Sequence, residues 1–181
     1  TLPKPVALVG TSLGGKVALC AAATHSPHAG KLVMLCSSAL QTPRSRRVYR
    51  WFELLCSEVD GRFLGDLTAP FLFGETFLNE KPSVVDDIVR STKPSDASRA
   101  FMQAQARALQ SFDGQALCGE VRWPTLCLAG GEDTLTLPRE VAATAALIPG
   151  AQHECFANAG HSLLLESAAA FDRLVAFLRA V

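Results

Sequence analysis

The sequence predicts an α/β fold: a mostly parallel sheet with helices on both faces and a helical segment inserted into it. Three observations carry that class. Short apolar runs alternate with helical patterns at both ends of the chain, the rhythm of βαβ units. The central stretch is helical, with no strand inside it. The length, 181 residues, suits one domain or one domain plus an insertion.

In chain order, Val6-Ala7-Leu8-Val9 is a continuous apolar run, the pattern of a strand buried on both faces. It leads into Gly10-Thr11-Ser12-Leu13-Gly14-Gly15, and Lys16–Ala23 then reads as a helix that Pro27 and Gly30 terminate. Lys31–Ser37 is a second apolar strand, parallel to the first. From Ala39 to Phe112 the patterning turns helical. Arg44–Val59 spaces Val48, Trp51, Phe52, Leu55 and Val59 as a helix does, and Thr68–Phe73 and Glu75–Glu80 are shorter pieces. Pro82–Arg90 starts on proline, and Ser95–Leu109 has Ser95 or Asp96 as N-cap. Thr125–Ala129 restores the strand pattern, Pro138–Ile148 is a helix, Gln152–Phe156 a strand and Ser162–Ala180 a closing helix. In that last helix Leu164, Ala168, Phe171, Val175 and Leu178 form one face expected to be buried. The resulting division is core over 1–38, helical cap over 39–112 and core again over 113–181.

Composition narrows the function. Lys plus Arg and Asp plus Glu both number 17, so the chain has no basic excess to attract nucleic acid or an anionic membrane surface. Hydrophobic residues make up 49%, enough for a packed core, yet no apolar run approaches the ~18 residues of a membrane span. Cys20, Cys36, Cys56, Cys118, Cys127 and Cys155 are scattered without a CxxC pair. Cys36, Cys127 and Cys155 fall in strand-like runs, where a thiol acts as a small hydrophobe. A reduced, cytoplasmic chain is the expected setting.

Gly10-Thr11-Ser12-Leu13-Gly14 matches G-x-S-x-G between a strand and a helix. That turn is tight enough to require glycines near the serine, and it pushes the hydroxyl out at the C-terminal edge of the sheet. A serine needs a base to take its proton and an acid to orient that base. His161 lies in a loop between the last strand and the last helix, and Glu132 and Asp133 follow the Thr125–Ala129 strand directly. All are expected at the same sheet edge as Ser12. Asp113, in Ser111-Phe112-Asp113-Gly114, reads as a turn or cap residue and is a reserve candidate for the acid.

Over its whole length the chain resembles α/β-hydrolase-fold proteins of the capped esterase, lactonase and C–C hydrolase branch. The resemblance rests on VALVGTSLGG, KLVMLCSS, PTLCLAGGEDTLTLP and NAGHSLLLESAAAFDRLVAFL. It implies that Ser12 is the nucleophile, Asp133 (fourth in Gly130-Gly131-Glu132-Asp133) the orienting acid and His161 the general base. The backbone N–H of Leu13 would be one oxyanion donor. It further implies a small-molecule substrate with an ester, lactone or related acyl bond, no cofactor and no metal. C–C bond hydrolysis and cofactor-free perhydrolase chemistry use the same triad and stand as alternatives. The family also carries strands before the elbow strand and an early loop supplying a second oxyanion donor. Neither is present here, so the sequence is expected to be the later portion of a larger fold. A truncated, non-catalytic relative is therefore the alternative from another class.

Other residues have plainer readings. His25 and His28 flank Pro27 in a polar loop and read as solvated, and His153 as part of a strand. Arg44, Arg46, Arg47 and Arg50 form a basic cluster that a solvated helix face explains and an anionic substrate would also suit. Trp51, Phe71, Phe73 and Phe77 could line a substrate pocket or pack the cap itself. The glycines at 10, 14 and 15 do not fit a dinucleotide fingerprint.

Overall fold

The computed structural model describes residues 5–24 and 29–180. Four parallel strands, β1 (Val6–Thr11), β2 (Ala29–Leu35), β3 (Thr125–Gly130) and β4 (Gln152–Phe156), pair in the order β1-β2-β3-β4. The register of β2 and β3 sets up two cores, because successive side chains point to opposite faces of a sheet. Leu32, Met34, Cys127 and Ala129 face one side and pack against α1 (Leu13–Ala23) and α8 (Pro138–Leu147). Val33, Leu35, Leu126 and Leu128 face the other and meet Leu163 and the helix α10 (Ala168–Arg179).

The central segment consists of α2 (Pro43–Glu58), a 3₁₀ turn (Gly61–Phe63), α3 (Leu64–Leu72), α4 (Glu75–Glu80), α5 (Pro82–Ser91) and α6 (Asp96–Leu109). Thr42 caps α2 in a reciprocal box with Ser45, with Pro43 opening the helix, and Ser95 caps α6 by accepting from Ser98 N. α2 and α6 pair through Glu53, whose carboxylate accepts from Arg50, Arg107 and Gln110. A four-residue helix, α7 (Gln115–Cys118), leads back to β3. Its approach is capped by Asp113, which accepts from Gln115 N and so is the turn residue its sequence suggests.

Three sequence expectations are corrected. The first strand is not buried on both faces: Val9 is 45% exposed. Among the described residues β1 has one strand neighbour, β2, and of its side chains only Leu8 joins the core under α1. The closing helix is not continuous but divides into α9 (Leu163–Glu166) and α10. Glu166 folds its carboxylate back onto backbone N–H groups, while extended Ser167 caps α10 through Ala170 N. That break resets the helix, so Ala170, Leu174 and Phe177 are buried while Phe171 is half exposed. The third concerns Cys155, which is exposed on the edge strand β4 and not packed inside. His153 lies on the same exposed strand, and His25 and His28 lie outside the described residues.

Candidate active site

Ser12 occupies the single residue between β1 and α1, with φ 52° and ψ −117°. A non-glycine residue at positive φ is strained, and the surroundings hold it there. Ser12 N donates to Leu35 O on β2, Gly15 N and Lys16 N return to Ser12 O, and Ser37 Oγ donates to the same oxygen at 2.7 Å. The turn can close this tightly because a Cβ on Gly10 would lie 2.1 Å from Gly14 O, and one on Gly15 would lie 2.5 Å from the Ser37 side chain. Gly14 differs: a Cβ there meets nothing within 4 Å, so the motif's last glycine is not sterically required among the described residues. Leu13 N–H belongs to the first turn of α1, where helix N–H groups have no intrahelical acceptor and the dipole is positive.

His161 and Asp133 meet across two loops at the ends of β4 and β3. His161 Nδ1 is 2.8 Å from Asp133 Oδ2, and both residues are buried. The other carboxylate oxygen accepts from Leu135 N and Thr136 N, which fixes its plane. A carboxylate so placed can only accept, so Nδ1 carries the proton of this bond, and in the neutral tautomer it selects the lone pair lies on Nε2. The two loops are joined by backbone: Gly131 N donates to Phe156 O and Glu132 N to Ala159 O. Of the adjacent acids, Asp133 is therefore the one that reaches the histidine. Glu132 turns the other way and accepts from Thr76 N and Thr76 Oγ1.

Ser12, Leu13 and His161 line one cavity of about 360 Å³. Among the described residues Ser12 Oγ and the imidazole make no direct hydrogen bond in it. Its walls are mostly apolar, with Val48, Phe52, Leu72, Met102 and Leu109 prominent, and Tyr49 and Gln105 polar. A second cavity of about 490 Å³ shares Val48 and Leu135 with the first. Trp51 and Phe71 line this second cavity, together with Arg44 and Arg47. Arg44 donates to Leu135 O and Thr134 O, tying α2 to the acid loop, whereas Arg50 pairs with Glu53. Phe73 lines neither cavity. α3 ends at Leu72, and Phe73 packs with Ala69 and Val85 and stacks on Phe77 at 5.6 Å.

Two buried groups near the site escaped sequence reasoning. Cys36, at φ 45°, places Sγ close to Asp133 and His161, the three donor atoms lying within 4.8 Å of one another. They do not make an open metal site. Asp133 already spends both oxygens on protein donors, and burial followed by the Asp133 charge pushes the Cys36 thiol well up, keeping it protonated. Lys16, one turn after Ser12, is buried between the rings of Tyr49 and Phe112 and donates to Ser38 O. Desolvation lowers it to about 8. Glu166, which accepts from the N–H groups on both sides of His161, is the third residue missed. Nothing in hydrophobic periodicity marks a carboxylate with that task.

A family model described as "Alpha/beta hydrolase family" matches residues 1–174. Among curated proteins, a pimeloyl-[acyl-carrier protein] methyl ester esterase of Stenotrophomonas maltophilia is 33% identical over 190 residues, covering 96% of this chain and 70% of that protein. Among solved structures, MGS-M2, an alpha/beta hydrolase enzyme from a Medee basin deep-sea metagenome library, superposes with a TM-score of 0.86 at 20% identity. The alignment covers 97% of this chain and 66% of that one. An enol-lactonase from Burkholderia xenovorans LB400 gives a TM-score of 0.82 at 21% identity, covering 95% of this chain and 65% of its own. The chain thus spans slightly less than two thirds of these two solved structures.

Proposed function

This chain belongs to the alpha/beta hydrolase family, and we propose that it is a serine hydrolase of a carboxylic ester, lactone or related acyl bond. The observation that carries the reading is the strained Ser12 facing the same cavity as a histidine whose Nδ1 is held by a buried aspartate. In this reading His161 Nε2 takes the Ser12 proton as Oγ attacks the substrate carbonyl. The oxyanion forms against Leu13 N–H at the start of α1. Collapse expels the alcohol, which receives the proton from His161, and leaves an acyl-enzyme. A water deprotonated by the same imidazole then attacks that acyl group, and Ser12 recovers its proton. Asp133 orients the ring and stabilises the imidazolium throughout.

The substrate is a small molecule with an aliphatic part, since the walls beside Ser12 are apolar and the polar groups few. Residues 39–112 act as a cap, because α2, α3 and α6 supply most of those walls. An ester also suits the name of the curated relative, a methyl ester esterase. The six free cysteines suit a cytoplasmic setting. A fluorophosphonate probe tests the assignment: it should label the chain, Ser12→Ala should abolish labelling, and His161→Ala should slow it strongly. Labelling that survives Ser12→Ala would sink the proposal. A panel of p-nitrophenyl esters against lactones then separates the two bond types.

A further inference from the structure

His161 sits on a short loop between the buried Ala159 and Leu163, and the backbone on both sides of it is gripped by one carboxylate. Glu166 Oε2 accepts from Gly160 N at 2.7 Å, and Oε1 accepts from Ser162 N at 3.0 Å. These are the N–H groups immediately before and after His161. Oε2 also accepts from Gly74 N at 2.8 Å, between α3 and α4. Ser162 N makes a second bond to Leu72 O at 2.9 Å. The two backbones approach so closely that a Cβ on Gly160 would lie 2.2 Å from Gly74 N. One half-buried carboxylate therefore joins three N–H groups, and charge-assisted bonds of this kind are about twice as strong as neutral ones.

We propose that Glu166 is a positioning residue for His161: it fixes the backbone on both sides of the imidazole and ties it to the Leu72–Gly74 segment. The inference rests on the reading of His161 as general base. Its consequence is that the base loop and the end of α3, which contributes Leu72 to the Ser12 cavity, move as one piece. Glutamine cannot replace the carboxylate. An amide has one acceptor oxygen and a donor NH₂, so either Gly74 N and Gly160 N lose their acceptor or Ser162 N is left with Leu72 O alone, and the NH₂ faces another donor in both cases.

The test uses the whole chain and two readouts. The first is solvent exchange of the His161 Nδ1 proton, followed by NMR; the second is fluorophosphonate inactivation, resolved into kinact and KI. Wild type should show a protected imidazole proton that disappears in Asp133→Asn. In Glu166→Gln that proton should exchange about tenfold faster or more, and kinact should fall about 10- to 100-fold with KI little changed, as a base misplaced by about 1 Å predicts. Thr76→Val removes a bond between the same insertion and Glu132 without touching the base loop. It should match wild type in both readouts. If Glu166→Gln does not fold, Glu166→Asp, which keeps the charge on a shorter stem, carries the comparison and should be intermediate. A wild-type proton and kinact in the folded Glu166 variant would overturn the inference, as would an equal loss in Thr76→Val. Absence of both the protected proton and Ser12 labelling in wild type is a different pattern: it removes the base assignment, and the clamp with it.

Discussion

Replacing Lys16 with methionine separates an electrostatic cost from the packing around it. Lys16 is 5% exposed, and its ammonium donates to Ser38 O and faces Phe112 at 5.1 Å and Tyr49 at 5.8 Å. Glu140, Asp113 and Cys20 act on it favourably but do not cancel its desolvation, so its pKa falls from 10.5 to about 8. Below pH 8 folded and unfolded chains both hold the proton, and the fold carries the cost of a buried charge. Between pH 8 and 10.5 the unfolded chain binds more protons, so this group makes the fold more stable as pH rises. At about 1.4 kcal/mol per pKa step the full gain is about 3 kcal/mol, most of it realised by pH 10.

Wild-type stability alone does not reveal that gain, because the thiols act in the opposite sense. Burial raises Cys118 and Cys127 from 9.0 to about 11 and about 12. They stay protonated in the fold after the unfolded thiols have ionised, and so stability falls above pH 9. The difference between wild type and Lys16→Met cancels this contribution. Urea denaturation under reducing conditions at pH 7 and pH 10 measures it. At pH 7 the variant gains the desolvation cost but strands Ser38 O, a loss of ~1–3 kcal/mol, so the two proteins should be close. By pH 10 the variant should have lost about 2–3 kcal/mol relative to wild type. A difference that is flat with pH, or that grows in favour of the variant, would refute the assignment of a buried, depressed lysine.

The other predictions concern the site and the helical segment. Asp133→Asn can keep its bonds to Leu135 N and Thr136 N through the amide oxygen, which turns its NH₂ toward His161 Nδ1 and moves the ring proton to Nε2. Ser12 labelling should fall about 10³- to 10⁴-fold with little change in Tm; a loss under tenfold would contradict the tautomer argument. Gly15→Ala places a methyl 2.5 Å from the Ser37 side chain, whose hydroxyl supports Ser12 O, and should cost about 1–3 kcal/mol in urea denaturation. Gln110 and Arg50, then Arg107, hold the Glu53 carboxyl down at about 2. Its stabilisation of the α2–α6 pair is present above pH 4.5 and lost as pH falls toward 2. Glu53→Gln should flatten that part of the acid-denaturation curve, and an unchanged curve would remove Glu53 from the account.

What could be read from the sequence is what local chemistry decides. The elbow is complete within six residues, since Gly10 and Gly15 allow the approach that strains Ser12, and the signal survives without any knowledge of the fold. Helix starts were legible for the same reason: Pro82, Ser95 and Pro138 act within one turn. The choice between Glu132 and Asp133 is not local. The two lie side by side in a turn closed by Asp133 N on Gly130 O, and only the placement of Thr76 on one side and His161 on the other separates them. Phe71 and Phe73 were indistinguishable by composition, and the end of α3 at Leu72 sends one to a cavity wall and the other into the Ala69–Val85 cluster.

The closing helix shows why the hidden part matters for chemistry. Periodicity through Leu164, Ala168 and Phe171 suggests one unbroken helix, and a helix continuing past Glu166 would satisfy local propensity. Three N–H groups at Gly74, Gly160 and Ser162 instead find their acceptor in Glu166, the first of them 92 residues away in sequence. Leaving the Gly74 and Gly160 groups buried and unpaired would cost more than one interrupted turn, since each unsatisfied donor is worth about 1–3 kcal/mol and Ser167 recaps the helix at once. The local rule fails at the residue that grips the histidine loop, and it fails because tertiary hydrogen bonds outweigh helical propensity there.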